Sequence, residues 1–346
     1  MTSEPLNARE REILKLLINY YIATAEPVGS RVLAQKYPIG LSPATIRNTM
    51  QDLEEMGLVS QPHTSAGRVP TDMGYRTFVD QILTPEPISD QDAEALREHV
   101  TAEGALAVEE LLEKTTRVLA SISSELGVTL APRFDQGILT RVELVPVAKN
   151  KVLLILMVKE GLARTLLLEV DTELQEAILE QTSGLLNERL TGVRIGDLRK
   201  NLAQRVKDLP GADARLIKMF VDSAEAILSI PGEHALRLEG TINLLDKPEF
   251  KDHEKLAGLI HMLEEKTSLV ELLQKKQIGE GIVITIGREI QLSAAEPCAM
   301  VTSSYKAGRV SGTIGIIGPK RMNYARLVTL VETTAKLLSQ QLKKMF

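Results

Sequence analysis

The sequence predicts an α+β protein with an N-terminal winged helix-turn-helix and a larger mixed domain interrupted by a mainly helical segment. Three observations predict it. Three helical stretches and a short hairpin follow one another within the first seventy residues. A run of apolar β segments resumes twice later in the chain. Between those two runs lie about sixty residues with helical periodicity.

The first helix is "NAREREILKLLINYYIA". Ile13, Leu16, Leu17 and Tyr20 fall on one side and Leu14, Ile18 and Ile22 on another, as in the central strut of a small helical domain. "EPVGSRVLAQKYP" is a second, short helix that Pro38 and Gly40 end. In "LSPATI", Ser42 is placed to cap a third helix, with Pro43 at the first helical position and Gly57 at its end. Projected at 100° per residue, that helix turns Ile46, Met50 and Leu53 inward. Its other side displays Ala44, Asn48 and Gln51, flanked by Thr45 and Arg47. Arg reaches guanine O6 and N7, and Asn or Gln pairs with adenine, so the N-terminal half has the side chains of a recognition helix. Asp52, Glu54 and Glu55 fill the C-terminal half, where phosphate would repel them unless that end tilts away.

"LVSQPH" and "RVPT" are strand-like pieces joined by "TSAG", which makes the stretch "PHTSAGRVPTDMGYR", residues 62–76, the wing. Thr64 and Ser65 can donate to phosphate, as can His63. Gly67 is read as letting the backbone approach DNA, and Arg68 as supplying charge. Thr71 caps a fourth helix whose Tyr75, Phe78, Val79 and Ile82 face back onto the domain. The net charge of −5 argues against a uniformly basic surface. Residues 31–51 and 59–71 nevertheless contain no acid, which leaves room for one small positive face.

"TPEPISD" at 84–90 is a linker. Two helical stretches follow, the second with apolar positions recurring from Val108 to Leu126. "ILTRVELVPVA", "KVLLILMV" and "ARTLLLEV" form an antiparallel meander, and helices resume from 172 to about 230. Four more β segments, "EHALRLEG", "GIVITIG", "CAMVTSSY" and "RVSGTIGIIG", precede a terminal helix.

The stretch "GLSPATIRNTMQDLEEMGLVSQPHTSAGRVPTDMGYRTFVD" resembles the heat-inducible transcription repressor HrcA family. "EGTINLLDKPEF" and "GTIGIIGPKRMNYARL" extend the likeness over nearly the whole chain. The resemblance implies a GAF-like domain carrying an inserted dimerising domain. It also implies a homodimeric repressor of chaperone operons that binds an inverted-repeat (CIRCE-type) operator in double-stranded DNA and depends on the chaperonin GroEL. On that basis residues 1–84 are assigned to the winged helix-turn-helix, 85–172 and 235–346 to the GAF-like domain, and 173–234 to the insertion. The DNA-binding candidates are Ser42, Thr45, Arg47, Asn48, Gln51, His63, Thr64, Ser65, Gly67 and Arg68.

Enzyme chemistry finds little support. The five histidines, His63, His99, His234, His253 and His261, show no metal-site spacing. "GTIGIIGPKR" lacks phosphate-loop spacing, and Pro319 removes a backbone N–H from any cradle there. No metal or cofactor is expected. Cys298, the one cysteine, excludes an internal disulfide and reads as a small buried hydrophobe. The longest strongly apolar run, "VLLILMV", is too short to span a bilayer, and the N-terminus has no secretory h-region, so a cytoplasmic protein is expected. The alternative to a chaperonin-controlled repressor is a regulator whose GAF-like domain senses a small molecule.

Overall fold

The computed structural model describes residues 6–64, 66–101, 108–159, 161–170, 175–223, 227–228, 235–276 and 281–345. It is α+β, with a winged helix-turn-helix at the N-terminus. That unit comprises α1 (Ala8–Thr24), α2 (Ser30–Lys36), α3 (Pro43–Glu55), the hairpin β1 (Val59–Ser60) and β2 (Val69–Pro70), and α4 (Asp72–Gln81). Local chemistry sets its boundaries. Asn7 and Glu10 cap α1 reciprocally, each side chain accepting the other's backbone N–H, at 3.0 and 2.9 Å. Ser42 Oγ accepts the Thr45 N–H at 3.1 Å to open α3. Gly57, at φ +74°, closes that helix, with the Leu58 N–H donating to the Leu53 carbonyl at 2.9 Å.

Helices α5 (Asp90–Val100) and α6 (Val108–Ser123) then lead into β3 (Leu126–Leu130). The periodic reading of α6 through Leu126 overshoots, because Ser124 takes φ +55° and the chain turns into a strand. This strand belongs to a five-stranded antiparallel sheet with β7 (Leu236–Glu239), β8 (Ile282–Ile286), β9 (Cys298–Ala307) and β10 (Val310–Pro319). The spatial order is β7-β3-β10-β9-β8, or 2-1-5-4-3 when these strands are counted along the chain. This is the expected GAF-like arrangement. Ile314 and Ile316 pack with α6 and the terminal helix α13 (Tyr324–Met345). Met300 and Ile317 pack on the other face, against α11 (His253–Glu264) and α12 (Lys266–Lys276), with α10 (Thr241–Leu245) beside them. Gly127 allows α6 to approach the sheet, since a Cβ there would lie 2.6 Å from the Thr116 carbonyl oxygen.

Between β3 and β7 the chain builds a second unit with its own core. The meander forms a sheet in the order β4 (Leu139–Ala148), β5 (Lys151–Val158), β6 (Ala163–Glu169). Its buried side, with Val142, Leu154 and Leu156, packs on α7 (Glu176–Leu190), α8 (Ile195–Val206) and α9 (Ala214–Asp222). The boundary expected at 173 therefore cuts through one core. The inserted unit spans roughly residues 134–228 and is a sheet with helices rather than mainly helical.

The winged helix does not stand apart from the GAF-like unit. Tyr75 of α4 lies 6.1 Å from Tyr324 of α13, ring centroid to ring centroid. Ile13, Leu17 and Phe78 share one apolar cluster with Leu327 and Leu330. Charged side chains lock the same seam. Arg76 donates to both carboxylate oxygens of Glu289 and, at 2.7 Å, to the Ile284 carbonyl. Lys320 donates to Asp72 at 2.5 Å, and Arg321 donates to Glu249 and, at 3.2 Å, to the Ile22 carbonyl. The "GPKRMNY" stretch is thus a junction between domains. Tyr75, expected to face only its own domain, reaches across it.

Candidate nucleic-acid interface

The sequence of α3 divides the helix cleanly. Ile46, Met50 and Leu53 are buried, and Thr49 is buried with its hydroxyl donating to the Thr45 carbonyl at 3.2 Å. Arg47, Asn48 and Gln51 are exposed on the opposite side. The side chains of Arg47 and Asn48 have no partner among the described residues, and Gln51 donates to Glu55 at 3.2 Å. Ser42 and Thr45 sit at the helix start with their hydroxyls 2.9 Å apart, so both serve the cap as well as facing solvent.

The wing is a two-residue ladder, Val59 opposite Pro70 and Ser60 opposite Val69, carrying a tip of residues 61–68. His63 and Thr64 are exposed on that tip, whereas Ser65 lies outside the described residues. A residue not anticipated organises it. Gln61 Nε2 donates to the carbonyls of Thr64 and Ala66, both at 2.9 Å, and so pins the loop from within. Only its position at the start of the tip could have pointed to it, because either amide proton finds a partner through chain reversal rather than through local spacing.

Two expected contacts take a different form. The close approach that Gly67 permits is to the protein itself. A Cβ there would stand 2.4 Å from the carbonyl carbon and oxygen of Val28. Val28 and Arg68 exchange backbone hydrogen bonds of 2.8 and 2.9 Å, tying the wing base to the α1–α2 connection. Arg68 is no free cation at the tip. Its guanidinium pairs with Glu54 at 2.7 Å and is only 20% exposed. Glu54, read as an acid to be kept from phosphate, anchors the wing to α3. Among the cations of the first acid-free window, Lys36 covers the Tyr20 ring at 4.6 Å, which leaves Arg31 and Arg47 to face outward.

The comparisons with known proteins bear on this geometry directly. Residues 5–83 match the family model "Winged helix-turn-helix transcription repressor, HrcA DNA-binding", and residues 109–328 match "HrcA protein C terminal domain". The chain belongs to the HrcA family. Among relatives, the heat-inducible transcription repressor HrcA of Geobacter sulfurreducens is 38% identical over 98% of each chain. That of Chlorobium phaeobacteroides is 36% identical over 99% of this chain and all of its own. A solved structure described only as a hypothetical protein superposes with a TM-score of 0.61, covering 99% of this chain and 100% of its own at 24% identity, which shows a shared fold. The protein is therefore a DNA-binding transcriptional repressor of the HrcA type, and the matched DNA-binding domain, residues 5–83, contains α3 and the wing.

Other chemistry is sparse. Cys298 is buried, and burial pushes its thiol up to about 12, which suits packing rather than nucleophilic attack. Among the described residues no group of three or more His, Cys, Asp and Glu side chains is arranged to hold a metal. No helix among them is long and apolar enough to cross a membrane.

Proposed function

We propose that this protein is a dimeric repressor of heat-shock chaperone operons in the bacterial cytoplasm, binding an inverted-repeat operator of the CIRCE type. The observation that carries the reading is the pair of unpartnered, exposed side chains Arg47 and Asn48 on the N-terminal half of α3. A helix entering the major groove by that end would bring both to base edges, with His63 and Thr64 of the wing beside the backbone.

One winged helix reads one half-site, and an inverted repeat calls for two-fold protein symmetry. A surface on the inserted unit supports the second copy. On the sheet face away from α7–α9, Val145, Leu153 and Leu167 form one cross-strand row. Val145 is 38% and Leu167 47% exposed, and Ile155 and Met157 lie half-buried on the same face. Charged residues flank this band, with Arg141 and Glu143 paired at 2.6 Å and Lys151 near Glu169. An apolar strip with a polar border fits an interface between copies.

The same face explains a dependence on the chaperonin GroEL. A chain that bares an aliphatic sheet until it dimerises is prone to aggregate, and pairing across a split domain is slow. Unfolded proteins occupying the chaperonin would leave less active repressor, and transcription would rise. The test is a gel-shift with an inverted-repeat operator, followed over time at a heat-shock temperature with and without chaperonin. Sustained unaided binding, indifferent to chaperonin, would remove the titration mechanism.

A further inference from the structure

A cleft of about 480 Å³ runs along the seam between the winged helix and the GAF-like unit. This volume suits a small ligand, and domain seams are common places for one. Both sides build it, with Tyr21, Pro70 and Tyr75 from the winged helix facing Pro297, Lys320 and Arg321 from the other. The hydroxyl of Tyr75 is the telling group. The residue is 2% exposed, and its Oη is buried with no hydrogen-bond partner among the described residues. Burial holds this phenol well above its ordinary pKa, so it stays protonated, with an unused donor on a residue that lines the cleft. Lys320 and Arg321 add donors beside it beyond those they give to Asp72, Glu249 and Ile22.

Other lining residues differ. Glu254 and Lys255, on the first turn of α11, line the cleft and are exposed, and neither side chain has a partner among the described residues. Over the whole lining the charges cancel, since Lys255, Lys320 and Arg321 are matched by Glu249, Glu254 and Glu296. A simple anion would meet those acids and a simple cation those bases. A ligand carrying both charges would meet donors on buried and half-buried lining residues and a free carboxylate on an exposed one.

We propose that this cleft binds a small zwitterion of the amino-acid class, with its carboxylate turned inward to the Tyr75 hydroxyl, Lys320 and Arg321 and its ammonium outward to Glu254. The two tyrosines and two prolines enclose its side chain. A ligand gripped by both walls favours the docked arrangement of the winged helix, and linkage then couples its binding to operator affinity. The site goes beyond the repressor function and does not depend on it.

The test uses the full chain and the twenty L-amino acids, each titrated calorimetrically, then the deaminated and decarboxylated analogues of any that binds. At least one amino acid should bind and raise the melting temperature. Tyr75→Phe should weaken it about fivefold, the loss of one hydrogen bond, while leaving ligand-free operator binding intact. Glu254→Gln, an exposed change, should weaken the amino acid but not its deaminated analogue. The proposal is overturned if no amino acid binds the wild-type chain, if both variants bind like wild type, or if the deaminated analogue binds as well as its parent. Circular dichroism confirms that each variant is folded.

Discussion

Replacing Gly67 by alanine separates two roles for the wing. If the glycine exists so that backbone can approach DNA, the variant should fold normally and lose only operator affinity. The structure argues otherwise. The added Cβ would stand 2.4 Å from the Val28 carbonyl carbon and oxygen and 2.7 Å from its nitrogen, all backbone atoms of a fully buried residue. Ordinary contacts begin about 1 Å farther out, so either the wing base or the α1–α2 connection must move. Movement breaks the two hydrogen bonds between Val28 and Arg68, at 2.8 and 2.9 Å. Two such bonds contribute about 2 kcal/mol, and the strain of overpacking adds about 1–3 kcal/mol.

A loss of about 3–5 kcal/mol is a large fraction of typical domain stability. Guanidinium unfolding followed by circular dichroism measures it, and fluorescence anisotropy with labelled operator and random duplexes measures binding. Gly67→Ala should unfold at markedly lower denaturant and lose affinity for both duplexes alike. Gly40→Ala is the control, because Gly40 has φ +66° but nothing within 4 Å of its would-be Cβ. It should cost only about 1–2 kcal/mol of left-handed backbone strain. A Gly67→Ala variant as stable as wild type but deficient only on operator DNA would refute the structural reading and restore the DNA-contact one.

Further outcomes can be checked separately. Arg47→Ala and Asn48→Ala should each weaken operator binding by about 1–3 kcal/mol and random DNA much less; equal losses on both would make them backbone contacts. Arg68→Ala should lower stability by about 1 kcal/mol by freeing Glu54, and any effect on DNA should be the same for all sequences. Leu153→Asp in the outer sheet face should give a folded monomer by sedimentation, with operator affinity reduced and single half-site affinity kept. Burial raises the Glu125 carboxyl to about 7 despite its 2.9 Å bond from Lys247. A carboxyl with a raised folded pKa binds more protons when folded than unfolded between about pH 4.5 and 7, so stability from this group falls as pH rises through that window. The stability of wild type relative to Glu125→Gln should therefore drop by about 2 kcal/mol between pH 5 and 7.5, and a flat difference would show that Glu125 ionises normally.

What could be read in advance follows the range of the interactions. The start of α3 was legible because Ser42, Pro43 and Gly57 act on residues within five positions of themselves. The meander was legible because three short apolar segments are separated by polar turn residues such as Lys149 and Asn150, although the alternating burial of β5, with Val152, Leu154, Leu156 and Val158 inside, is hidden in an unbroken apolar run. Which core the meander joins was not, since that depends on Leu179, Leu198 and Phe220 arriving later in the chain. Strand β3 escaped for another reason. All five of its residues are buried, so it shows no alternation, and Leu126 continues the apolar spacing of α6. In the wing, the residue types were informative and their partners were not. Gly67 and Arg68 are there for close approach and charge, but those needs are met by Val28 and Glu54, in elements that sequence spacing does not connect to them.

The division of cores bears on how heat acts on the repressor. Winged helix and GAF-like unit share a continuous apolar cluster, reinforced by Arg76 with Glu289 and Lys320 with Asp72. Elements joined in this way open together, and helix α3 is therefore lost only when much of the molecule is lost. The inserted unit is different, because its sheet and α7–α9 enclose a separate cluster. It can loosen while the rest stays folded. If the apolar face of that sheet holds two copies together, loosening it leaves DNA-binding domains that are intact but single. Each would retain its base contacts and lose the partner half-site, and with it most of the affinity for an inverted repeat. On that proposed pairing, repression is more vulnerable at the insertion than at the winged helix.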